Sequence, residues 1–148
     1  MAFLIDTNII LRLAQLEHPM RADSLNALSI LKTQGEDYYL TPQNLIEYWR
    51  TCTRPTDRNG LGMTIADTDA ALTDLEDVFT ILPDIPDIYE QWRRLVVNYG
   101  VMGVNVHDAR LVATMLVHGL THIMTFNIRD FTRYAEITAV HPTEIASR

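Results

Sequence analysis

The sequence is short of the residues on which several large classes of protein depend. Cys52 is its only cysteine, so no disulfide can form within the chain, and a reducing compartment such as the cytoplasm is expected. Lys32 is its only lysine, and no Gly-x-x-x-x-Gly-Lys motif occurs, which excludes a P-loop nucleotide site. Phosphatases and receiver domains that use an amino-terminal aspartate need a lysine far downstream, so the sequence argues against both.

Long hydrophobic runs are also missing. No apolar stretch approaches the roughly 20 residues that span a bilayer, and Met1 to Asp6 has no basic residue of the kind that opens a signal peptide. We therefore expect no membrane span, no secretory leader and no membrane partner. With 148 residues, 47% of them hydrophobic and 21% charged, the chain is expected to form one globular domain over 1–148.

The net charge of −7 is concentrated in one segment. Eight acidic residues and no Lys or Arg lie between Thr64 and Glu90, whereas the remainder has twelve basic and eleven acidic residues. This acidic segment is either a solvated face, a surface that repels nucleic acid and confines it to the opposite side of the molecule, or a surface that meets a basic partner segment. Elsewhere Arg50, Arg54 and Arg58 recur every four residues, and they either follow a phosphate backbone or form a solvated face.

Short apolar runs alternate with amphipathic segments along the chain. Strands are predicted at 2–5, 38–40, 80–82, 122–126 and 137–140, and helices at 9–16, 21–33, 42–53, 67–79, 86–99 and 106–118. This alternation is typical of βαβ units, in which a parallel sheet is joined by right-handed crossovers. Ligands of such α/β folds bind at the carboxyl ends of the strands.

Five polar residues are predicted to meet at that edge of the sheet. Asp6 ends the first strand, Glu47 lies in the helix after the second strand, and Asp108 begins the apolar helix before the fourth strand. Asn127 and Asp130 follow the fourth strand. If the first and fourth strands are neighbours, these residues form one site.

Each residue alone also has an ordinary structural interpretation. Asp6 can cap a helix, Glu47 can pair with Arg50 one turn later, and Asp108 can form a capping box with Asn105. Taken as a cluster, carboxylates raise one another's pKa unless a cation neutralises them. Mg²⁺ suits such oxygen ligands and leaves positions open for a phosphate, and a site of this kind can activate water against a phosphodiester.

Four segments occur in an order that resembles one family. They are FLIDTNIILRL, the helix TPQNLIEYWR with its glutamate, VHDARLVATMLVHG and IMTFNIRDF. Over nearly the whole chain the sequence resembles the PIN domain, and within it the ribonuclease toxins of VapBC-type toxin–antitoxin pairs. The resemblance implies a three-layer α/β/α fold with a short, mainly parallel sheet. It also implies an endoribonuclease that depends on Mg²⁺ or Mn²⁺.

The resemblance assigns roles to particular residues. Asp6, Glu47 and Asp108 match the family's three acids, which bind the metal and act in catalysis. At the fourth catalytic position Asn127 stands where many relatives have an aspartate, and Asp130 follows three residues later, so both stay candidates. One or two bound metal ions remain possible, because the amide of Asn127 adds no negative charge that would hold a second ion. In-line attack by water would leave a 5′-phosphate and a 3′-hydroxyl.

The resemblance also implies partners: an RNA substrate, a cognate antitoxin protein and a second copy of the chain in a homodimer. We expect a basic antitoxin segment to insert an arginine among the acids. The expected docking groove, which would also support the homodimer, consists of Ile9, Leu13, Leu45 and Trp49. Hydroxyl positions near the family's site are matched by Thr7 and Thr125.

The alternative is a catalytically inactive PIN-like scaffold that binds RNA or protein. The presence of Asp6, Glu47 and Asp108 argues against this alternative. Cleavage of RNA that EDTA abolishes would distinguish the two hypotheses.

Overall fold

A five-stranded parallel sheet, in the order β3-β2-β1-β4-β5, forms the centre of the computed structural model, which describes residues 1–146. The strands are β1 (Ala2–Ile5), β2 (Asp37–Leu40), β3 (Thr80–Ile81), β4 (His122–Met124) and β5 (Thr138–Val140). The helices are α1 (Thr7–Ala14), α2 (Arg21–Thr33), α3 (Pro42–Thr53), α4 (Ile65–Val78), α5 (Asp87–Asn98), α6 (Val106–His118) and α7 (Pro142–Ala146). The predicted parallel α/β architecture is confirmed.

The central strand β1 packs on both sides, because successive side chains of a strand point to opposite faces of the sheet. Phe3 and Ile5 join a buried cluster with residues of α1, α2, α3, α4 and α7. Leu4 lies in a second cluster with Ile123 of β4 and residues of α5 and α6. Helices therefore cover both faces, which gives the three layers that were predicted.

Several element boundaries differ from the prediction by one or two residues, α1 covers 7–14 rather than 9–16, and α7 was not predicted. Two of the differences have local reasons. Helix α4 begins at Ile65 rather than Asp67, because the Thr64 hydroxyl accepts a hydrogen bond from the Asp67 amide at 3.1 Å and caps the helix earlier. Strand β4 ends at Met124 rather than Phe126. The Phe126 amide donates to the Asn8 side-chain oxygen at 3.3 Å, so a side chain takes the place of a ladder partner.

The helix ends otherwise follow signals in the sequence. Thr41 caps α3 through a reciprocal pair of bonds with Asn44, and Pro42 occupies the first helical position. Gly119 ends α6 at φ 74°, a backbone conformation that favours glycine. Within residues 1–146, none of these helices has the length and apolar character needed to cross a membrane.

Truncation of a central strand residue tests this packing. Ile123 is 0% exposed in β4, so Ile123→Ala should lower the free energy of unfolding by about 2–5 kcal/mol through lost burial and the cavity left behind. Ile65→Ala removes the same atoms from a residue that is 71% exposed, and its effect should stay within about 0.5 kcal/mol. Urea denaturation measures both, and equal losses would contradict the assignment of Ile123 to the core.

Candidate active site

The site begins where β1 and β4 end side by side. The two strands pair in parallel with Ile5 opposite Met124, and the Asp6 amide donates to the Met124 carbonyl at 3.0 Å. One carboxylate oxygen of Asp6 accepts the Thr7 amide at 2.8 Å and so caps α1. The other accepts the Thr125 hydroxyl at 2.7 Å. The predicted capping role of Asp6 is therefore correct, and the same carboxylate also joins two strands.

Burial sets the charge state of this carboxylate. Asp6 is only 8% exposed, and its burial raises the pKa to about 6, although the hydrogen bonds from Thr125 and Thr7 oppose the rise. The charges of Glu47 and Asp130 raise the pKa of Asp6 further. Asp6 therefore lies within electrostatic reach of acids from two other parts of the chain.

Asp108 lies in the first turn of α6 and is half-buried. Its burial, followed by the charges of Asp6, Asp130 and Glu47, raises the pKa of Asp108 to about 7. In the described residues, the Asp108 carboxylate has neither a hydrogen bond nor an ion pair. The four acids that the sequence grouped together thus repel one another, and Asp108 is the least compensated.

Glu47 is positioned through a chain of side-chain hydrogen bonds. The Thr7 hydroxyl donates to the Glu47 carboxylate at 3.1 Å, and the Asn44 amide donates to the Thr7 hydroxyl at 3.1 Å. Asn44 in turn accepts both the amide and the hydroxyl of Thr41 at 2.9 Å. Burial raises the pKa of Glu47. The capping box of α3 therefore also fixes an acid of the site.

The two candidates for the fourth position lie together on an exposed turn. The Asn127 amide donates to the Thr125 hydroxyl at 3.0 Å, so its backbone is tied to the site. Asp130 lies in the short turn at 128–130 and adds to the repulsion at Asp6 and Asp108. Asp130 thus acts on the cluster by charge, whereas Asn127 adjoins it through the backbone.

Two of the ordinary structural interpretations do not hold. Asn105 makes no side-chain hydrogen bond to the start of α6, so Asn105 and Asp108 form no capping box. Among residues 1–146, no ion pair joins Glu47 to Arg50. The charge of Arg50 still lowers the pKa of Glu47, so it is only the direct ion pair that is absent.

The sequence analysis missed the role of Asn8. Its side-chain amide lies 3.2 Å from the Thr125 hydroxyl and 3.4 Å from the Asp6 carboxylate, and its side-chain oxygen accepts the Phe126 amide at 3.3 Å. The Asp-Thr-Asn triplet was the available signal, but nothing in it indicates that Asn8 bonds to the segment after β4. It instead binds the segment that follows β4 to the segment that follows β1.

The chemistry of this cluster fits a hard divalent cation. Its donors are carboxylate oxygens, and a cation would relieve the repulsion that raises the pKa of Asp6 and Asp108. As the side chains stand, no three His, Cys, Asp or Glu residues between 1 and 146 converge as a complete metal site. Mg²⁺ is commonly held by one or two carboxylates together with several waters, so the donor set is compatible with it.

The expected docking groove needs correction. Ile9 is 0% exposed and Leu45 is 9% exposed, and both pack in the core, so neither is available to a partner. Leu13 does line an apolar groove of about 590 Å³, together with Leu28, Tyr38 and residues of α4. The prediction was wrong for Ile9 and Leu45 because the buried face of a helix and its groove face look alike in sequence.

Comparison with known proteins identifies the family. The sequence matches the PIN domain over residues 3–137, and the chain belongs to this family. No curated protein matches the sequence at a significant level.

Several solved structures resemble the fold. VapBC2 from Rickettsia felis, bound to a DNA fragment from its promoter, is 16% identical with a TM-score of 0.69, over 95% of this chain and 98% of that one. FitAcB from Neisseria gonorrhoeae is 23% identical with a TM-score of 0.66, over 95% and 98%. VapC20 from Mycobacterium tuberculosis, a sarcin–ricin loop cleaving toxin, is 17% identical with a TM-score of 0.58, over 82% and 86%.

The raised pKa values predict how stability depends on pH. The folded-state pKa values of Asp6 and Asp108 lie above the ordinary 3.8, so the folded protein binds protons more tightly than the unfolded chain. In EDTA, the free energy of unfolding should therefore fall as the pH rises from about 4 to about 7. The shift of Asp6 corresponds to about 3 kcal/mol, at about 1.4 kcal/mol per pKa unit.

Urea denaturation in EDTA at constant ionic strength measures this dependence. Asp108→Asn should flatten the slope, because the amide does not titrate, whereas the exposed Asp67→Asn should leave it unchanged. Parallel slopes for Asp108→Asn and the parent protein would contradict the assignment.

Proposed function

We propose that this chain is a divalent-metal-dependent endoribonuclease that hydrolyses RNA phosphodiester bonds, and that it is the toxin of a type II toxin–antitoxin pair. One observation carries the proposal: Asp6, Glu47 and Asp108 come from three different elements to one sheet edge and face one another without a basic partner in hydrogen-bonding range. Membership of the PIN family supports it, as does the likeness in fold to a toxin that cleaves RNA.

In the proposed site, Asp6, Asp108 and Glu47 would hold Mg²⁺ or Mn²⁺. Bound there, the ion would polarise a phosphate oxygen and lower the pKa of water. Asp6 suits a ligand of fixed orientation, because Thr7 and Thr125 hold its two oxygens. Asp108 suits a metal ligand whose oxygen lone pairs are unused, because its carboxylate has no hydrogen bond within the described chain.

We assign Glu47 to orient the attacking water and to accept its proton. Its burial raises the pKa, which makes it a stronger proton acceptor than an exposed glutamate. The Thr7 hydroxyl donates to one of its oxygens at 3.1 Å, and a side-chain hydrogen bond with Gln43 also orients the carboxylate. Asn127 or Asp130 would share this positioning role. Attack on phosphorus in line with the 3′-oxygen gives a 5′-phosphate and a 3′-hydroxyl without using the 2′-hydroxyl.

The antitoxin is assigned to the groove lined by Leu13, Leu28 and Tyr38. Solved relatives of this fold include toxin–antitoxin complexes, which supports such a partner. The second half of α1 lines the groove, and this helix is capped by Asp6, so an antitoxin segment that continues from the groove past the start of α1 would place an arginine among the acids. We also propose that two copies of the chain form a homodimer.

Substitution of single acids tests the catalytic assignment. Glu47→Gln should lower kcat about 10²–10⁴-fold, the usual contribution of a general base. Asp6→Asn and Asp108→Asn should abolish cleavage because each removes a metal ligand, whereas the exposed Asp67→Asn should cleave at the parent rate. The measurement is cleavage of single-stranded RNA in Mn²⁺ with circular dichroism as the control for folding, and full activity of any site variant would remove that residue from the mechanism.

The fourth position has its own diagnostic substitution. If the neutral Asn127 limits the site, Asn127→Asp should raise activity or lower the Mn²⁺ concentration needed, because it adds a charge. Asp130→Asn should then have little effect. Loss of activity in Asp130→Asn with no change in Asn127→Asp would assign the role to Asp130 instead.

Binding of the metal is measurable without catalysis. Mg²⁺ or Mn²⁺ should raise the melting temperature, because a ligand that binds only the folded state stabilises it. The increase should disappear in the double variant Asp6→Asn, Asp108→Asn. A parent protein that neither gains stability from metal nor cleaves RNA would favour the inactive scaffold.

A further inference from the structure

A second cavity lies beside the acid cluster, between the first turns of α5 and α6. Its volume of about 370 Å³ falls within the range of small-molecule sites, about 300–1,000 Å³. Tyr89 and Trp92 line it from α5, and His107 and Arg110 line it from α6. His107 directly precedes Asp108, so the cavity and the acids share the first turn of one helix.

The two rings form a stacking surface. Tyr89 and Trp92 are 5.9 Å apart between ring centroids, with an interplanar angle of 30°. The Trp92 indole N–H donates to the Val106 carbonyl at 2.8 Å, which fixes the ring against α6. Tyr89 is 62% exposed and so presents an unoccupied ring face to solvent. A flat apolar ligand can stack here with little rearrangement.

Hydrogen bonds connect the cavity to the acid cluster. Gln43, one turn before Glu47 on α3, donates to the His107 carbonyl at 2.7 Å and accepts from Arg110 at 3.1 Å. Arg110 also pairs with Asp84 at 3.2 Å. The charge of His107 lowers the pKa of Glu47, so the imidazole lies near the acids. The α6 side of the cavity, which carries Arg110 and His107, is therefore the side next to the acids.

The charges around the cavity are arranged asymmetrically. The residues that line it include no acid within the described chain, and Asp84 at its rim is paired with Arg110. Asp87 and Glu90 of α5 flank Ile88 and Tyr89 in the sequence and are exposed, so the acidic segment borders the cavity on its α5 side. The acids of α5 disfavour an anionic group on that side of the cavity, and Arg110 favours one on the α6 side. A neutral ring is accommodated between the two helices.

We propose that this cavity binds one unpaired nucleobase of the RNA, next to the phosphate that is cleaved. The inference rests on the proposed function. A nucleotide joins a flat ring to an anionic phosphate. The cavity has the same order, because the rings of Tyr89 and Trp92 are followed by His107 and Arg110 and then by the acid cluster. Only an unpaired base has a free face to stack on Tyr89, so the cavity selects single-stranded or looped RNA.

Removal of the exposed ring tests this inference. Tyr89→Ala should raise the KM for a single-stranded RNA oligonucleotide about 5- to 150-fold, the value of one base–aromatic stack, and should change kcat little. Tyr89→Phe keeps the ring and should behave like the parent. Val97→Ala, at a 72% exposed position on the same helix but outside the cavity, is the matched control. An unchanged KM in Tyr89→Ala would overturn the inference.

A second measurement does not depend on catalysis. In Trp49→Phe, the remaining tryptophan is Trp92, and an RNA octamer added in EDTA should quench its fluorescence. An octamer of abasic ribose phosphates carries the same charge and should not. Equal quenching by both, or by neither, would overturn the inference. Quenching without any cleavage by the parent protein would refute the nuclease proposal alone, and normal cleavage with no effect of Tyr89→Ala would refute the base site alone.

Discussion

The buried carboxylate of Asp6 is the constraint on which the rest of the site depends. A buried carboxylate is costly unless hydrogen bonds compensate it. Here Thr7 and Thr125 supply them, and in doing so they bind α1 and the end of β4 to the end of β1. The compensation is incomplete, because the pKa still rises to about 6. The fold thus holds an anion at its centre that a proton or a cation stabilises further.

Helix capping extends this constraint to the second acid. Asn44 closes the capping box with Thr41, and its side-chain amide donates to the Thr7 hydroxyl, which in turn donates to Glu47. The bonds that start two helices therefore also set the positions of two acids. Asp108 is different, because it opens a helix without a capping partner and its burial is balanced only by distant positive charge such as Arg133.

The sequence predicted the layers, and it grouped the acids whose charges act on one another in the structure, because both follow from patterns of neighbouring residues. Alternating apolar runs define strands and helices, and Asp6 directly follows the first strand whichever strands that strand pairs with. Side-chain networks are not local in this sense. Nothing near Asn8 indicates that it bonds across more than a hundred residues to Thr125. Likewise, the sequence of α1 and α3 does not say that Ile9 and Leu45 face the sheet, since that depends on how the helices cross it.

A chain of net charge −7 repels a polyanion on average, so it can bind one only where the local charge is favourable. The acids of the proposed metal site repel phosphate until a divalent ion adds its two positive charges, so binding of RNA and metal should reinforce each other. In the proposed RNA complex, the acidic segment would restrict where the backbone can lie, while Arg110 and His107 would offer a favourable path beside Asp108. Charge would exclude most orientations of the strand, and the ring of Tyr89 would select among those that remain.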